Sequence, residues 1–409
     1  MVPVYIGNYF MQKIKILHVL EAVGGGTKKA LLLQLNNLNE AEFDITVCLP
    51  PASIVEKTRV NELNDPGFGD RLVEAGYRVE YIPMYGGAKL EFFRNLLGLW
   101  KLWVLCRREQ FDIVHGHSSI GGFLARIAGR LAGGCATVYS PEGFAFSEHT
   151  PKFRKAIVIA LERLAGAFTD MIVACSATEK NQALSAQIVD SHRIIVIENP
   201  VALDDYSIAE HEMAATKATL LNGRNVRIVG TVARLAPQKN PLDFIRVASV
   251  ICRSKNDVEF FIVGDGRMRG EAQALIEYLG LENKVHLLGN RSDYLRLMSC
   301  FDVFILTSLW EGLPYAPVEA LLLGIPIVIN DVTGAVDIVG ENGIDLLIPP
   351  LNPEAMAIKI IDLLDHPAQA KELVKKISAD MRYRFDGRTT SAKMTAMYRQ
   401  LISYKVGQK

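Results

Sequence analysis

"SLWEGLPYAPVEALLLGIPIVIN" (residues 308–330) connects one predicted strand to the next through a turn and a helix. Glu311 begins a turn rich in Gly and Pro, and Glu319 follows eight positions later inside a helix predicted over residues 316–323. A strand, a helix and a second strand in this order form one unit of a parallel sheet. Both carboxylates therefore follow a strand end, where such sheets bind their ligands.

The same alternation of strands and helices continues through the chain in two series. The predicted strands are residues 14–20, 44–50, 77–84, 111–117, 136–143 and 170–176 in the first series, and 226–234, 259–266, 284–289, 302–308 and 326–330 in the second. Two such series predict an α/β chain of two Rossmann-like domains, with parallel sheets that face each other across a cleft. We predict an N-terminal domain over residues 1–200, a C-terminal domain over 201–385, and a final helix at 386–409 that packs back toward the N-terminal domain.

Composition narrows the class of protein further. The chain of 409 residues is 49% hydrophobic and carries 45 basic and 45 acidic side chains, which argues against a nucleic-acid-binding protein. Its six cysteines are widely spaced without a CxxC pair, which is typical of free thiols in a reducing cytoplasm. No apolar run reaches the roughly 18 residues that span a bilayer. We interpret residues 1–10, before Met11, as an upstream start or an added segment and leave them out of the fold prediction.

Two cations follow the first strand of the second series, in "GTVARLAPQKN" (residues 230–240). Arg234 ends the predicted strand, and Lys239 follows five positions later. A planar guanidinium fork and a compact ammonium group beyond one strand end are suited to binding a diphosphate. The alternative is that both are solvated surface cations.

The two carboxylates of the opening stretch flank a predicted helix start, which offers unpaired N–H groups and the positive end of the helix dipole to an anion. A carboxylate accepts two hydroxyl groups at once, so Glu311 and Glu319 could hold two different sugars. The alternative is that Glu311 caps the helix and Glu319 is solvated.

Several segments together resemble the retaining family-4 glycosyltransferases of the GT-B fold. They are "GTVARLAPQKN", "FFIVGDG", "VHLLGNRSDY", "FDVFILTSLWEGLPYAPVEALLLGIPIV" and "VIENPV". The resemblance covers most of the chain from about Lys13, and the order R-x4-K then E-x7-E is its most specific feature. It implies transfer of a sugar from a nucleotide-sugar, most commonly UDP-linked, to a glycan or lipid-linked saccharide in cell-surface polysaccharide biosynthesis.

The resemblance also implies roles for individual residues on the donor side. Arg234 and Lys239 would bind the diphosphate, Glu311 the hydroxyls of the donor sugar, and Glu319 the ribose. Backbone groups of the turn would contact phosphate or sugar, and the region of Arg291 would contact the base. The turn positions are Gly312, Leu313 and Pro314. Gly264 and Gly266 would let the backbone approach the ligand closely.

The N-terminal domain would carry the acceptor. A glycine loop that includes Gly25 and Gly26 precedes a predicted helix and could approach phosphate groups. His115 and His117 end a strand; we expect them to face opposite sides of it, so that only one reaches a given site, and we choose His117. Many relatives carry a histidine where this chain has Glu142, and we predict that Glu142 accepts a sugar hydroxyl or binds the acceptor.

The reaction is predicted to need neither a metal nor a cofactor beyond the nucleotide-sugar substrate. The chain contains no D-x-D pattern, so Arg234, Lys239 and the helix dipole would neutralise the leaving phosphate. A same-face route is expected, in which a donor phosphate oxygen takes the proton of the acceptor. Glycoside hydrolysis by two carboxylates is disfavoured because both flank the predicted phosphate site.

A segment at residues 89–110 combines an apolar stripe at helical spacing with flanking cations, among them Trp100, Trp103, Lys101 and Arg108. This pattern is typical of a helix that lies on a membrane surface, and equally of one that packs on the sheet. We therefore predict a cytoplasmic protein with a contact to the inner face of the plasma membrane. Two alternatives to a transferase stay open: a UDP-sugar 2-epimerase of the same fold, and a non-catalytic nucleotide-sugar-binding protein.

Overall fold

The computed structural model describes residues 13–21, 23–57, 65–86, 91–146 and 150–406. Residues 1–10, which we interpret as an upstream start or an added segment, lie outside the described residues. The same holds for residues 89–90, where the predicted amphipathic helix begins, and for residues 407–409.

Seven parallel strands form the sheet of the first lobe, in the order β3-β2-β1-β4-β5-β6-β7. The strands are β1 Ile14–Leu20, β2 Phe43–Leu49, β3 Arg78–Tyr81, β4 Ile113–His117, β5 Ala136–Ser140, β6 Met171–Ala174 and β7 Ile194–Val196. The helices between them are α1 Gly25–Asn37, α2 Ala52–Lys57, α3 Phe68–Glu74, α4 Glu91–Glu109, α5 Ser119–Ala132, α6 Lys152–Gly166 and α7 Ala177–Ser185.

Six parallel strands form the sheet of the second lobe, in the order β10-β9-β8-β11-β12-β13. They are β8 Arg227–Val232, β9 Val258–Val263, β10 Val285–Gly289, β11 Val303–Leu306, β12 Ile327–Asn330 and β13 Leu347–Ile348. The helices that follow β7 in the chain are α8 Glu210–Leu220, α9 Pro241–Cys252, α10 Arg269–Tyr278, α11 Tyr294–Met298, α12 Tyr315–Leu322, α13 Ala335–Val339, α14 Pro353–Asp365, α15 Pro367–Ser378, α16 Met381–Arg384 and α17 Gly387–Val406. Short 3-10 helices occur at Ser191–Arg193, Leu203–Tyr206 and Glu341–Leu346.

The two sheets confirm the α/β class and the pair of Rossmann-like folds expected from the sequence. Two short edge strands, β7 and β13, were not predicted, because three and two residues are too few to produce a periodic pattern. In each sheet the strand order reverses once, between β1 and β4 and between β8 and β11. Loops leave these neighbouring strands in opposite directions, which opens a crevice at their carboxyl ends.

Helices cover both faces of the first sheet. On one face, α1 and α17 bury Leu35 and Tyr398 against β1 and β4. On the other, α4 and α5 bury Leu102 and Leu124. Strands that are covered on both sides carry near-continuous apolar runs, as β1 does, and such runs exclude water from the sheet.

The chain passes between the lobes twice, at neighbouring points. Val201 donates its N–H to the carbonyl oxygen of Phe385 at 2.8 Å and forms a parallel bridge with Asp386. The returning chain continues as α17, which packs against α1 and buries Met397 and Tyr398 in the core of the first lobe. The last helix of the sequence therefore belongs to the lobe that the first strand begins.

Helix α4 has two apolar faces. Leu102 and Leu105 are buried against the sheet, as expected for the alternative in which residues 89–110 form a helix that packs on the sheet. Phe93, Leu97 and Trp100 nevertheless point outward and are largely exposed. Among the described residues, no helix combines the length and the apolar composition that a membrane span requires.

Candidate active site between the two sheets

A cavity of about 680 Å³ opens between the lobes, at the carboxyl ends of the reversing strands. Residues from both lobes line it. Of those selected from the sequence, Gly25, Gly26, Glu142, Arg234, Lys239, Gly264, Arg291, Glu311, Gly312, Leu313, Pro314 and Glu319 lie around this space. Gly266 is not among its lining residues, and His117 lies behind Glu142, beside a much smaller pocket.

Hydrogen bonds connect the loop after β8 to the loop after β11. Gln238 accepts from the N–H of Leu309 at 2.8 Å and donates its side-chain amide to the carbonyl of Trp310 at 2.9 Å. Thr307 donates its hydroxyl to the carbonyl oxygen of Lys239 at 3.0 Å. The cations after β8 and the first carboxylate after β11 are thus held side by side by their backbones.

Lys239 and Glu311 form an ion pair inside the cavity, with side chains that are 17% and 7% exposed. Arg234, on the same loop, donates to the side-chain oxygen of Gln238 at 3.0 Å. The alternative of a solvated surface cation therefore does not describe Lys239. A diphosphate that enters the cavity would compete with Glu311 for the ammonium group of Lys239.

Helix α12 begins at the edge of the cavity. Its N-cap is Pro314, without a side-chain hydrogen bond, so Glu311 does not cap the helix. The first-turn N–H groups of Tyr315 and Ala316 have no partner within the helix, and both residues line the cavity. Pro314 has no N–H, whereas Gly312 and Leu313 in the preceding turn each carry one.

Glu319 is buried rather than solvated, with a side chain 4% exposed. Its Oε1 accepts from the ammonium of Lys29 at 2.5 Å, from the hydroxyl of Tyr294 at 3.0 Å and from that of Tyr206 at 3.3 Å. Burial alone would lower the pKa of Lys29, but Glu319 and the two hydroxyls outweigh it and raise that pKa above its ordinary value. Sequence reasoning missed these three partners, since they lie between 25 and 290 positions from Glu319.

Glu142 stands in the turn after β5 with φ at 54°, in the left-handed region that non-glycine residues rarely adopt. The N–H of Gly143, the next residue, donates to Glu179 at 2.6 Å and so fixes the turn. Burial raises the pKa of Glu179, and its hydrogen bonds to the backbone only partly offset this. The strained backbone presents Glu142 to the cavity from the first lobe.

His117 contacts Glu142 from behind, with 3.2 Å between its Nδ1 and Oε1 of the carboxylate. The expectation that His115 and His117 face opposite sides of the strand is wrong. Their rings stack with centroids 4.3 Å apart, because residues two apart along a strand share a face. His18, on the neighbouring strand, stacks on His117 and lies 2.9 Å from it through its Nδ1, while its ring is tilted against that of His115.

His18, His115 and His117 form a histidine cluster behind Glu142. His117 lies within hydrogen-bond distance of Glu142 through its Nδ1 and of His18 through its Nε2. The far nitrogen of His18 has no partner among the described residues. Burial lowers the pKa of His18 and His115, and the neighbouring His117 lowers both further.

The histidine cluster has the composition of a metal site, with ligand atoms within 4.8 Å of one another. Its geometry does not fit one. The ring of His117 stacks on those of His18 and His115, which does not bring three ligand nitrogens to a common centre. Both nitrogens of His115 are engaged, one with Tyr398 at 2.6 Å and one with Ser140 at 2.9 Å. The cluster is better described as a support for Glu142.

The remaining predicted residues on the nucleotide side show what their local structure permits. The guanidinium of Arg291 donates two bonds of 2.7 Å to Asp293, and Arg291 lines the cavity. Gly264 has φ at 138°, and a Cβ there would clash with the carbonyl of Ala233. The glycine is thus required for the packing of two loops of the second lobe, in addition to any approach to a ligand.

Comparison with known proteins adds family information to this geometry. Residues 24–205 match the model described as Glycosyltransferase Family 4, and residues 214–380 the model described as Glycosyl transferases group 1. The UDP-Gal:alpha-D-GlcNAc-diphosphoundecaprenol alpha-1,3-galactosyltransferase of Escherichia coli is 31% identical over 327 residues, which cover 79% of this chain and 80% of that protein.

More distant similarities extend over most of the chain. The alpha-D-kanosaminyltransferase of Streptomyces kanamyceticus is 23% identical over 359 residues, covering 82% of this chain and 92% of that protein. The crystal structure of Anabaena Alr3699/HepE in complex with UDP-glucose superposes with a TM-score of 0.76 at 21% identity, over 95% of this chain and 100% of that one. At that identity the superposition shows a shared fold.

Proposed function

The chain belongs to the family-4 glycosyltransferases of the GT-B fold, and we propose that it transfers a hexose from a UDP-sugar to a lipid-linked or polysaccharide acceptor. The observation that carries the proposal is the convergence of Arg234, Lys239, Glu311 and Glu319 on one cavity between the lobes. A nucleotide-sugar presents a diphosphate and two polyhydroxylated rings, and these four residues bring two cations and two carboxylates to the cavity. The cations of the cavity thus suit the diphosphate of the donor, and the carboxylates suit the hydroxyl groups of its two sugar rings.

The donor's base rests on relatives. The Escherichia coli relative takes UDP-galactose by its name, and the Anabaena protein has been crystallised with UDP-glucose. We infer a uridine nucleotide, with Arg234 and Lys239 on the diphosphate, Glu311 on the transferred hexose and Glu319 on the ribose. The backbone at Arg291 and the unpaired N–H groups at the start of α12 would complete the contacts to base and phosphate.

The acceptor would enter from the first lobe. Glu142, supported by His117, projects into the cavity opposite Glu311 and would bind hydroxyl groups of donor or acceptor sugar. Gly25 and Gly26 line the same side. The Escherichia coli relative acts on a saccharide joined by a diphosphate to a polyprenol, and we infer an acceptor of this lipid-linked class for the present chain.

We further infer retention of configuration without a metal ion. The positive charges of Arg234 and Lys239, with the helix dipole of α12, would stabilise the leaving diphosphate. Glu311 is paired with Lys239 and so is poorly placed to act as a nucleophile. The proton of the acceptor would pass to a phosphate oxygen of the donor on the same face of the sugar.

A lipid-linked acceptor would require the protein to reach a membrane. The first lobe has a protein surface that is suited to such a contact. We define the α4–α6 surface by the outward side chains of the two helices that flank α5: Phe93, Leu97, Trp100, Phe153, Ile157 and Leu161, all exposed. Exposed cations surround them, including Arg94, Lys101, Lys152 and Arg154. Exposed apolar side chains surrounded by cations are suited to the interface of an anionic bilayer. We infer peripheral binding to the inner face of the plasma membrane.

The assay that tests the transfer measures release of UDP from a panel of UDP-hexoses, with and without a saccharide diphosphate lipid. We expect release that depends on the acceptor, persists in EDTA, and gives an α-linked product by NMR. Release of nucleotide from the donor alone, with epimerised sugar, would instead indicate a 2-epimerase. Binding of UDP-sugars without turnover across the panel would indicate a binding protein.

The membrane contact is tested separately by sedimentation with vesicles of phosphatidylglycerol and phosphatidylcholine. Phe93→Glu with Trp100→Glu should abolish binding to anionic vesicles and leave UDP affinity unchanged. Tyr278→Glu, at a residue that is exposed on the second lobe, is the matched control. Equal sedimentation of both variants, or self-association of the wild type through this surface in light scattering, would contradict the membrane assignment.

A further inference from the structure

Lys29 is the residue whose position the family resemblance does not explain. It lies on α1 of the first lobe, three positions after Gly26, and reaches across the cleft. Its ammonium has three acceptors for its three hydrogens: Glu319 at 2.5 Å, and the hydroxyls of Tyr206 and Tyr294 at 3.2 Å each. The group is therefore saturated in this arrangement of the lobes.

The contacts on Glu319 are asymmetric. Lys29, Tyr206 and Tyr294 all meet Oε1, and within the described part of the chain no hydrogen bond falls on Oε2. The residue lines the cavity all the same. One carboxylate oxygen is thus fixed by the protein, which leaves the other available to hydroxyl groups of a ligand.

The approach of α1 to the second lobe is close enough to hold Lys29 in place. A Cβ added to Gly26 would lie 3.2 Å from the ring of Tyr315, and the ammonium of Lys29 lies 5.3 Å from the centre of that ring. Tyr206, Tyr294 and Tyr315 thus enclose the lysine on several sides. Burial and the nearby Glu319 carboxylate raise the pKa of Tyr294 to about 12, so its hydroxyl keeps its hydrogen for Glu319.

From these contacts we propose that Lys29 is a positioning residue for the nucleoside end of the donor: it orients and charge-compensates Glu319 from the opposite lobe. The proposal rests on the assignment of Glu319 to the ribose in the proposed function. Because Lys29 comes from the first lobe and Glu319 from the second, the ribose site is complete only when the lobes stand as they do here. Nucleotide recognition and the arrangement of the lobes are thereby coupled.

The test compares UDP with 2′,3′-dideoxy-UDP by isothermal titration calorimetry, because only UDP has both ribose hydroxyls. Wild type should bind UDP at least tenfold more tightly than the dideoxy analogue. In Lys29→Met the affinity for UDP should fall about tenfold while that for the analogue hardly changes, so the preference collapses. Lys29→Arg should restore part of it, since the charge is kept.

Lys28→Met is the matched control, because the neighbouring Lys28 pairs with Asp65 at 2.9 Å and does not line the cavity. Tyr294→Phe, which removes one of the other two donors to Oε1, should reduce the preference in the same direction and to a smaller extent. In the background of Glu319→Gln, the change of Lys29 to Met should add little, because the two residues act through one contact.

The outcomes separate the inference from the proposed function. If wild type does not bind UDP, or binds both nucleotides equally, the ribose assignment of Glu319 fails. If wild type discriminates and Lys29→Met discriminates equally well, the role of Lys29 is overturned. Tighter binding of UDP by Lys29→Met would also overturn it, since Lys29 would then compete with the ribose for Glu319.

Discussion

Gly143 and Gly312, one from each lobe, bring their backbones into direct contact beside the cavity. A Cβ added to Gly312 would lie 2.8 Å from the amide nitrogen of Gly143. No side chain stands between the two turns, which carry Glu142 and Glu311. The separation of these two carboxylates across the cleft is therefore set by backbone.

Gly312→Ala should separate the lobes by a fraction of an ångström and misplace the groups on both sides of the transferred sugar. We expect the transfer rate to fall by about tenfold to 100-fold, with a melting temperature close to that of wild type. Gly270→Ala is the control, because a Cβ there meets nothing within 4 Å. A wild-type rate in Gly312→Ala would show that the contact does not fix the geometry of the reaction.

Arg234→Ala and Lys239→Met should each weaken UDP and UDP-sugars by roughly tenfold to 100-fold, as expected for loss of a charge-assisted hydrogen bond. The effect of Lys239→Met should be the larger, because it also leaves Glu311 without its partner beside the phosphates. Uridine, which has no phosphate, should be affected little. Titration calorimetry measures this, with the exposed Arg267→Ala as control; unchanged UDP affinity in both variants would refute the phosphate assignment.

Glu142→Gln should lower the transfer rate at least tenfold while UDP affinity stays within about twofold of wild type, because we propose that Glu142 binds sugar hydroxyls and not the nucleotide. His117→Asn should give a smaller loss, since the carboxylate keeps its place on the chain and loses only its support at 3.2 Å. Steady-state kinetics and calorimetry separate the two effects. Equal losses in rate and in UDP affinity would place Glu142 on the nucleotide instead.

Stability should fall as pH decreases below about 6.5, the ordinary pKa of histidine. His18 and His115 have lowered pKa values in the folded chain, so below this pH the unfolded chain binds protons that the folded chain does not. Each group then removes up to about 1.4 kcal/mol per pH unit from the free energy of unfolding. Urea denaturation at pH 7.5 and 5.5 measures the slope, and His18→Leu should make it shallower; an unchanged slope would mean that His18 is protonated in the fold.

Much of the donor side follows from sequence because strand ends determine it. Arg234 and Glu311 lie in the loops that follow β8 and β11, and neighbouring parallel strands bring their carboxyl ends to one edge of a sheet. The positions of these residues relative to the predicted strand ends therefore predict where their side chains lie. They do not predict the Lys239–Glu311 pair, which depends on the side-chain conformations of two residues 72 positions apart.

The cross-cleft contacts could not be predicted in this way. Lys29 meets Glu319 across 290 positions, and the local pattern of α1 contains no information about the opposite lobe. The prediction for His115 and His117 was wrong for a different reason. The strand itself is as predicted, but its two-residue period places both histidines on one face. His18 joins them because β1 pairs directly with β4.

The neighbouring crossings at Val201 and Asp386 have a practical meaning for protein engineering. A cassette of residues 202–385 begins and ends at almost the same point in space, and α17 stays with its host. Such a cassette could be exchanged between relatives with two adjacent junctions, so that the second lobe of one protein is combined with the first lobe of another in a single chimera.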